Sequence, residues 1–220
     1  MSNPFDSIPH KNIKKILQLT EGHIYNYDEN IDIISTIITD NMIGIVLEGR
    51  CDIVYIDYKG NKIIVESLLE NQIFGTDISL INNKGYQIIT KEPTKIVTFD
   101  YRQLTKKENI DNRYYNIFIL NLFNIIHEKI KDKNERLQIL SNRTIRNKLL
   151  DFFSIQRKKS HSRNIYLPNN YTDLASYLSV DRAAMTRELS FMKEEGFIET
   201  KGKRITILYD EDLKNRNQIY

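Results

Sequence analysis

The stretch Asn170–Leu208, NNYTDLASYLSVDRAAMTRELSFMKEEGFIETKGKRITIL, constrains this chain more than any other. It reads as a helix, a tight turn, a second helix and a small β-hairpin. Asn170 is a good N-cap, and Asp173 completes a capping-box-like pair. Leu174, Ala175 and Leu178 form one apolar stripe at helical spacing. Ser179 and Val180 make the turn, and Asp181 caps the next helix, where its charge suits the positive end of the helix dipole. Met185, Leu189 and Met192 share one face of that helix; Arg182, Ala183, Thr186 and Arg187 share another. Gly196 stands where a left-handed C-cap belongs. Phe197 to Thr200 and Arg204 to Leu208 read as strands around Lys201, Gly202 and Lys203.

A helix that shows two arginines, a small residue and a hydroxyl on one side, and packs its other side on a shorter helix, has the features of a DNA recognition helix. The major groove admits one helix, and arginine pairs bidentately with guanine O6 and N7. The basic hairpin tip would then lie on a phosphate backbone, adding affinity but little sequence information. A single surface arginine on an amphipathic helix implies none of this; the whole pattern does.

Charge distribution agrees. Residues 141–220 hold 15 Lys and Arg against 10 Asp and Glu, an excess of five positive charges, whereas the rest holds 17 against 19. The basic excess sits in the half with the recognition helix. At 220 residues the chain is long enough for two small domains with real cores. It has no apolar run long enough to cross a bilayer, and MSNPFDSIPHKN lacks a signal-peptide pattern, so a cytoplasmic protein with no membrane partner is expected. The single cysteine, Cys51, excludes an internal disulfide and a cluster held by four cysteines of one chain.

Along the chain, Ile8 to Leu19 reads as a short amphipathic helix. Gly22 to Tyr101 reads as short strands separated by turns: Ile43 to Leu47, Cys51 to Ile56, Lys62 to Ser67 and Lys95 to Phe99. Short strands at this spacing predict an antiparallel sandwich or barrel. A helix-length period appears there only near Phe74 to Ile81. Tyr114 to Leu140 is a long helix, with Ile119, Leu122, Ile126, Ile130, Leu137 and Leu140 at spacings of three and four. Phe118, Phe123 and Ile125 make its first half apolar over much of its circumference, so it needs two apolar neighbours. One is the β-domain. The other is either more of the same chain or the same helix of a second copy, and the second copy is favoured because tandem DNA half-sites are read by two-fold dimers. Thr144 to Phe153 continues as helix, Gln156 to Asn164 reads as a basic loop, and Asp210 to Tyr220 as a charged tail.

This order of elements resembles the Crp/Fnr family of bacterial transcription regulators from about Ile24 to Leu208. The resemblance is strongest in IVLEGRCDIVYIDYKGNKIIVESLLENQIFG (Ile45 to Gly75) and TDLASYLSVDRAAMTRELSFMKEEGFIETKGKRITI (Thr172 to Ile207). Gly49, Gly60 and Gly75 stand where the family's β-roll turns. Asn71 stands where many members have glycine, and asparagine tolerates the left-handed conformation nearly as well. The resemblance implies an α+β fold: residues 1–108 an N-terminal cyclic-nucleotide-binding-type β-roll (jelly roll), residues 109–140 a long dimerisation helix, and residues 141–220 a C-terminal winged helix-turn-helix. Double-stranded DNA and a second copy of the chain are the implied partners, with RNA polymerase and an unidentified small-molecule effector as further candidates.

The family's base-reading positions fall on Arg182, Ala183, Thr186 and Arg187; Asn170, Lys201, Lys203 and Arg204 are the candidate backbone contacts. Many members carry glutamate where this chain has Ala183. A methyl group accepts no hydrogen bond from a base, so it touches a thymine methyl or leaves the position unread. The operator should therefore differ from the best-known family consensus. Tyr171 replaces a basic phosphate contact of some relatives.

The sensor half departs further. Relatives that bind cAMP carry glutamate just after Phe-Gly and an arginine about ten residues later. Here Phe74-Gly75 is followed by Thr76-Asp77, and no arginine occurs between Gly75 and Tyr101; Lys84 is a poor substitute. A buried phosphate would lack its charged partner, so cAMP control is not expected. Haem would need an axial ligand such as His23 or His127, but a histidine on a solvated helix face is the commoner case, and a lone strand cysteine is usually a small buried hydrophobe. No cofactor and no metal are expected. An effector pocket, if there is one, is placed near Phe74, Thr76, Tyr86, Gln87 and Ile88, with Phe118 or Leu122 opposite; the same residues could simply fill the core. The candidate dimer seam is Ile119, Leu122, Ile126, Ile130 and Leu137. A module that chiefly binds cyclic nucleotides or another small molecule is the alternative. An enzyme is disfavoured, with no GxSxG, HExxH or phosphate-loop pattern.

Overall fold

The structure, a computed structural model, describes residues 3–34, 42–75, 85–106, 112–167 and 171–209 of the chain. Two compact units divide it, Met1–Ile130 and Lys131–Tyr220.

In the first unit, the described strands are β1 (His23–Tyr27), β2 (Met42–Glu48), β3 (Cys51–Ile56), β4 (Lys62–Leu68), β5 (Ile73–Phe74), β6 (Tyr86–Thr90) and β7 (Thr94–Asp100). They form two antiparallel sheets, ordered β1-β7-β2-β5 and β4-β3-β6. Strand alternation decides which way each side chain points. Val46, Phe74 and Ile96 meet Cys51, Ile53, Leu68 and Ile88 in a core between the two sheets. Ile43, Ile45, Ile73, Val97 and Phe99 lie on the opposite side of the first sheet. They are covered by α1 (His10–Leu19) through Ile16, and by α2 (Arg113–Ser141) through Tyr115, Phe118, Leu122 and Ile125. Burial on both sides is why β2 is an unbroken apolar run rather than an alternating one.

Gly49, Gly60 and Gly75 take left-handed φ values of 84°, 84° and 81°, and Asn71 joins them at 64°, as the sequence predicts. Gly44 has a different role: a Cβ there would fall inside the ring of Phe74, so only glycine lets that ring lie against β2.

α2 runs one residue further at each end than the expected Tyr114 to Leu140. Asn112 begins it by accepting from the backbone N–H of Tyr114 (3.0 Å) and Tyr115 (3.3 Å). The expected period from Phe74 to Ile81 lies largely outside the described residues; its start, Ile73–Phe74, is strand β5.

In the second unit, α3 (Ile145–Ser160) starts at Thr144, whose hydroxyl accepts from Asn147 N–H at 3.2 Å. This corrects the loop expected over Gln156 to Asn164. The helix continues through Ser160, because Ile155 packs on the unit's core and Lys159 pairs with Asp132 and Glu135 at 2.7 Å each. It ends at His161 in the left-handed conformation. Asn164–Tyr166 is then a strand, β8, which pairs Ile165 with Ile205. One apolar residue among polar ones gives no period, so the strand is not visible in sequence. α4 (Tyr171–Leu178), α5 (Arg182–Glu194), β9 (Ile198–Lys201) and β10 (Arg204–Ile207) complete the unit, with sheet order β8-β10-β9.

Phe118 is fully buried, stacked on Phe5 at 5.9 Å and edge-on to Phe99 at 5.0 Å. Phe118→Ala should cost roughly 3–5 kcal/mol, read as a lower denaturant midpoint for the N-terminal unit.

Candidate nucleic-acid interface

Two helices and a hairpin build the site. α4 buries Leu174, Ala175 and Leu178, and α5 buries Met185, Leu189 and Met192, in one core with Phe153, Ile198 and Ile205. Between them Ser179 takes φ 50°, the sharp turn that lets Val180 N–H reach Ala175 C=O at 3.0 Å. Asp181 caps α5, accepting from Ala184 N–H at 2.8 Å. At the other end Gly196 has φ 77°, and Phe197 N–H returns to Met192 C=O at 2.8 Å.

With its back so held, α5 presents Arg182, Ala183, Thr186 and Arg187, all exposed. Among the described residues neither arginine is in an ion pair. The Thr186 hydroxyl donates to Arg182 C=O at 2.8 Å, and Ser190 donates to Thr186 C=O at 3.2 Å. The Thr186 proton is thus committed to the helix, and its lone pairs remain to accept from a base amino group. Ser190 extends the same exposed face by one turn.

A feature missed in the sequence fixes α5. Arg146, on the first turn of α3, bonds Glu188 through Nε and Glu195 through both terminal nitrogens at 2.8 Å. It also lies 5.9 Å from the Phe197 ring centroid. Both carboxylates keep the Arg146 guanidinium firmly protonated, Glu195 contributing most, and the Glu195 carboxyl is held below its ordinary value of 4.5 by that hydrogen bond. The partners lie 42 and 49 residues away, so no local spacing signals them.

The β9–β10 hairpin turns at Gly202 (φ 61°), with Lys201 and Lys203 exposed beside it and Arg204 half-buried. Tyr166 on neighbouring β8 is 68% exposed, another surface group the sequence did not mark. Asn170 lies outside the described residues.

The other candidate residues are placed as follows. Phe74, Tyr86 and Ile88 belong to the core between the sheets, whereas Phe118 and Leu122 belong to the core on the far side of the first sheet. The structure does not bring these five together; Thr76 lies outside the described residues, and Gln87 points away from both cores. Of the candidate seam residues, Leu122 is buried in the chain's own core and Ile119 and Ile126 pack against it, while Ile130 and Leu137 are exposed. Leu120 and Phe123 are exposed as well. Cys51 is buried between the sheets, and burial followed by the charge of Asp52 pushes its thiol up to about 12, so it stays a protonated hydrophobe. His23 and His127 are both exposed, and no described group of three or more His, Cys, Asp or Glu side chains could hold a metal. No described helix is long and apolar enough to cross a membrane.

Residues 146–216 match the Crp-like helix-turn-helix domain. No curated protein matches the chain by sequence. Solved structures of the same fold include CprK complexed with OCPA (TM-score 0.66, 16% identity, 94% of each chain covered). They also include a CooA variant from Carboxydothermus hydrogenoformans (0.56, 19%, 94% of this chain and 96% of that one). A third is a cyclic nucleotide-binding domain containing protein from Listeria monocytogenes (0.56, 19%, 90% and 98%).

Because Glu195 has a depressed pKa in the folded chain, the unfolded chain takes up its proton first as pH falls. The stabilisation from Arg146 is therefore complete above 4.5 and is lost as pH drops through the lowered value. Arg146→Met should lower the thermal midpoint at neutral pH. That difference should shrink on acidification, measured by circular dichroism melts of both proteins.

Proposed function

We infer that this chain, a Crp/Fnr-type transcription regulator by its fold and its Crp-like helix-turn-helix domain, works as a homodimer reading a two-fold symmetric DNA site. The observation that carries the reading is α5 itself: its back is fixed by the core and by Arg146, and its front holds four exposed base-reading candidates. Arg182 and Arg187 carry specificity by bidentate pairing with guanine. Thr186 serves as an acceptor, and Ala183 contacts a thymine methyl. Lys201, Lys203, Arg204 and Asn170 neutralise phosphates.

The dimer reading rests on the outward side of α2. Leu120, Phe123 and Ile130 are 63%, 66% and 54% exposed. Their positions, continued by Leu137, follow the alternating steps of three and four of a coiled-coil seam, with His127 and Asn134 in the intervening places. Polar residues at such places favour one register and a two-stranded pairing. This seam replaces Ile119, Leu122 and Ile126, which turn inward. Control by cAMP is excluded in this reading, because no arginine between Gly75 and Tyr101 can pair with a phosphate.

Selection of duplexes from a random pool by the purified chain tests the reading. A symmetric site with half-sites about one helical turn apart is expected; no enriched sequence at moderate salt overturns effector-free binding. On the selected site, Arg187→Ala should cost roughly 1–3 kcal/mol and relax one base pair. Lys203→Ala should weaken all sequences alike and reduce the salt slope by about one. Phe123→Asp should convert a dimer to a monomer in sedimentation, while the thermal midpoint of the C-terminal unit stays put.

A further inference from the structure

The β4-β3-β6 sheet turns one side to the inter-sheet core and the other outward, and the outward side carries a cleft of about 490 Å³. Ladder register builds it. Asp52 stands opposite Ser67 on one neighbour and Ile89 on the other; Val54 stands opposite Ile64 and Gln87. Directly opposed residues share a side, and Cys51, Ile53 and Ile88 occupy the core side. So Asp52, Val54, Gln87 and Ile89 line the cleft.

Two acceptors there are under-used. Asp52 is only 3% exposed, yet its carboxylate accepts a single hydrogen bond, from Ser67 Oγ at 2.7 Å. Gln87 Oε1 is buried with no partner. Buried carboxylates and amide oxygens are costly to leave short of donors. Asp32, beside Ile89, is already occupied, accepting from Ile88 N–H at 3.3 Å and Ile34 N–H at 3.2 Å. What the pair lacks is a compact group with several N–H donors, which describes a primary ammonium. Lys62 and Lys91 also line the cleft and supply positive charge, while Val54, Ile64 and Ile89 supply an apolar surface. The volume falls within the range of small-molecule sites, about 300–1,000 Å³.

We propose that this cleft binds a free aliphatic amino acid. Its ammonium group donates to Asp52 and Gln87, its carboxylate meets a lining lysine, and its side chain lies on Val54, Ile64 and Ile89. The proposal concerns binding and stands independently of DNA reading. It predicts saturable heat when the full-length chain is titrated with leucine, isoleucine or valine at millimolar concentration. Asp52→Asn and Gln87→Leu should each weaken that binding by about tenfold or more. Gln87→Leu removes an unpaired buried acceptor, so its unfolding midpoint should be no lower than that of the parent chain, which separates ligand loss from damage. Isoamylamine should bind more weakly than leucine and isocaproate weaker still. Absence of saturable heat with all three amino acids overturns the proposal, as does unchanged binding in Gln87→Leu. Isocaproate binding as tightly as leucine overturns it too, since the ammonium would then be idle.

Discussion

The first sheet of the N-terminal unit has no free side, and much of that unit's architecture depends on this. Val46, Phe74 and Ile96 fill the space against the second sheet, and Ile43, Ile45, Val97 and Phe99 need a cover on the other. The cover is supplied by Ile16 of α1 and by Tyr115, Phe118, Leu122 and Ile125 of α2. Each buried aliphatic or aromatic side chain contributes on the order of 1.5–3 kcal/mol. The helix that caps the sheet is thereby committed to one orientation about its own axis. Leu120, Phe123 and Ile130 are what remain outside.

The C-terminal unit solves a different problem: a helix must be rigid at the back and unencumbered at the front. Met185, Leu189 and Met192 are buried, Asp181 closes the first turn, and Arg146 holds Glu188 and Glu195. All three devices act on the inner side or the ends of α5, which keeps Arg182 and Arg187 clear of ion pairs among the described residues. An arginine tied to a neighbouring carboxylate would have to break that bond before meeting guanine. The Arg146 pairs are partly exposed, so they fix geometry more than they add stability.

The sensor-type unit is closed where the two sheets meet. The Phe74 ring lies against Gly44, and Cys51 is buried with its thiol protonated. The polar groups still short of partners, Asp52 and Gln87, lie on the opposite side of the second sheet.

Much of this was legible in sequence because it is local. The caps at Thr144 and Asp181, the apolar stripes of α4 and α5, the left-handed turn at Asn71 and the long period of α2 are set within a few residues of each other. The four exposed residues on α5 follow from its 3.6-residue repeat alone. Tertiary structure decided what depends on distant partners. Strand β8 exists because Ile205 is there to pair with Ile165, and α3 outlasts its expected end because Asp132 and Glu135 hold Lys159. Arg146 gained its role from carboxylates more than forty residues away. The amphipathic pattern of α2 showed that two sides were apolar, but both sides fit a helical period equally well. Only contact with Phe99 and its neighbours determined that Leu122 turns inward and Phe123 outward.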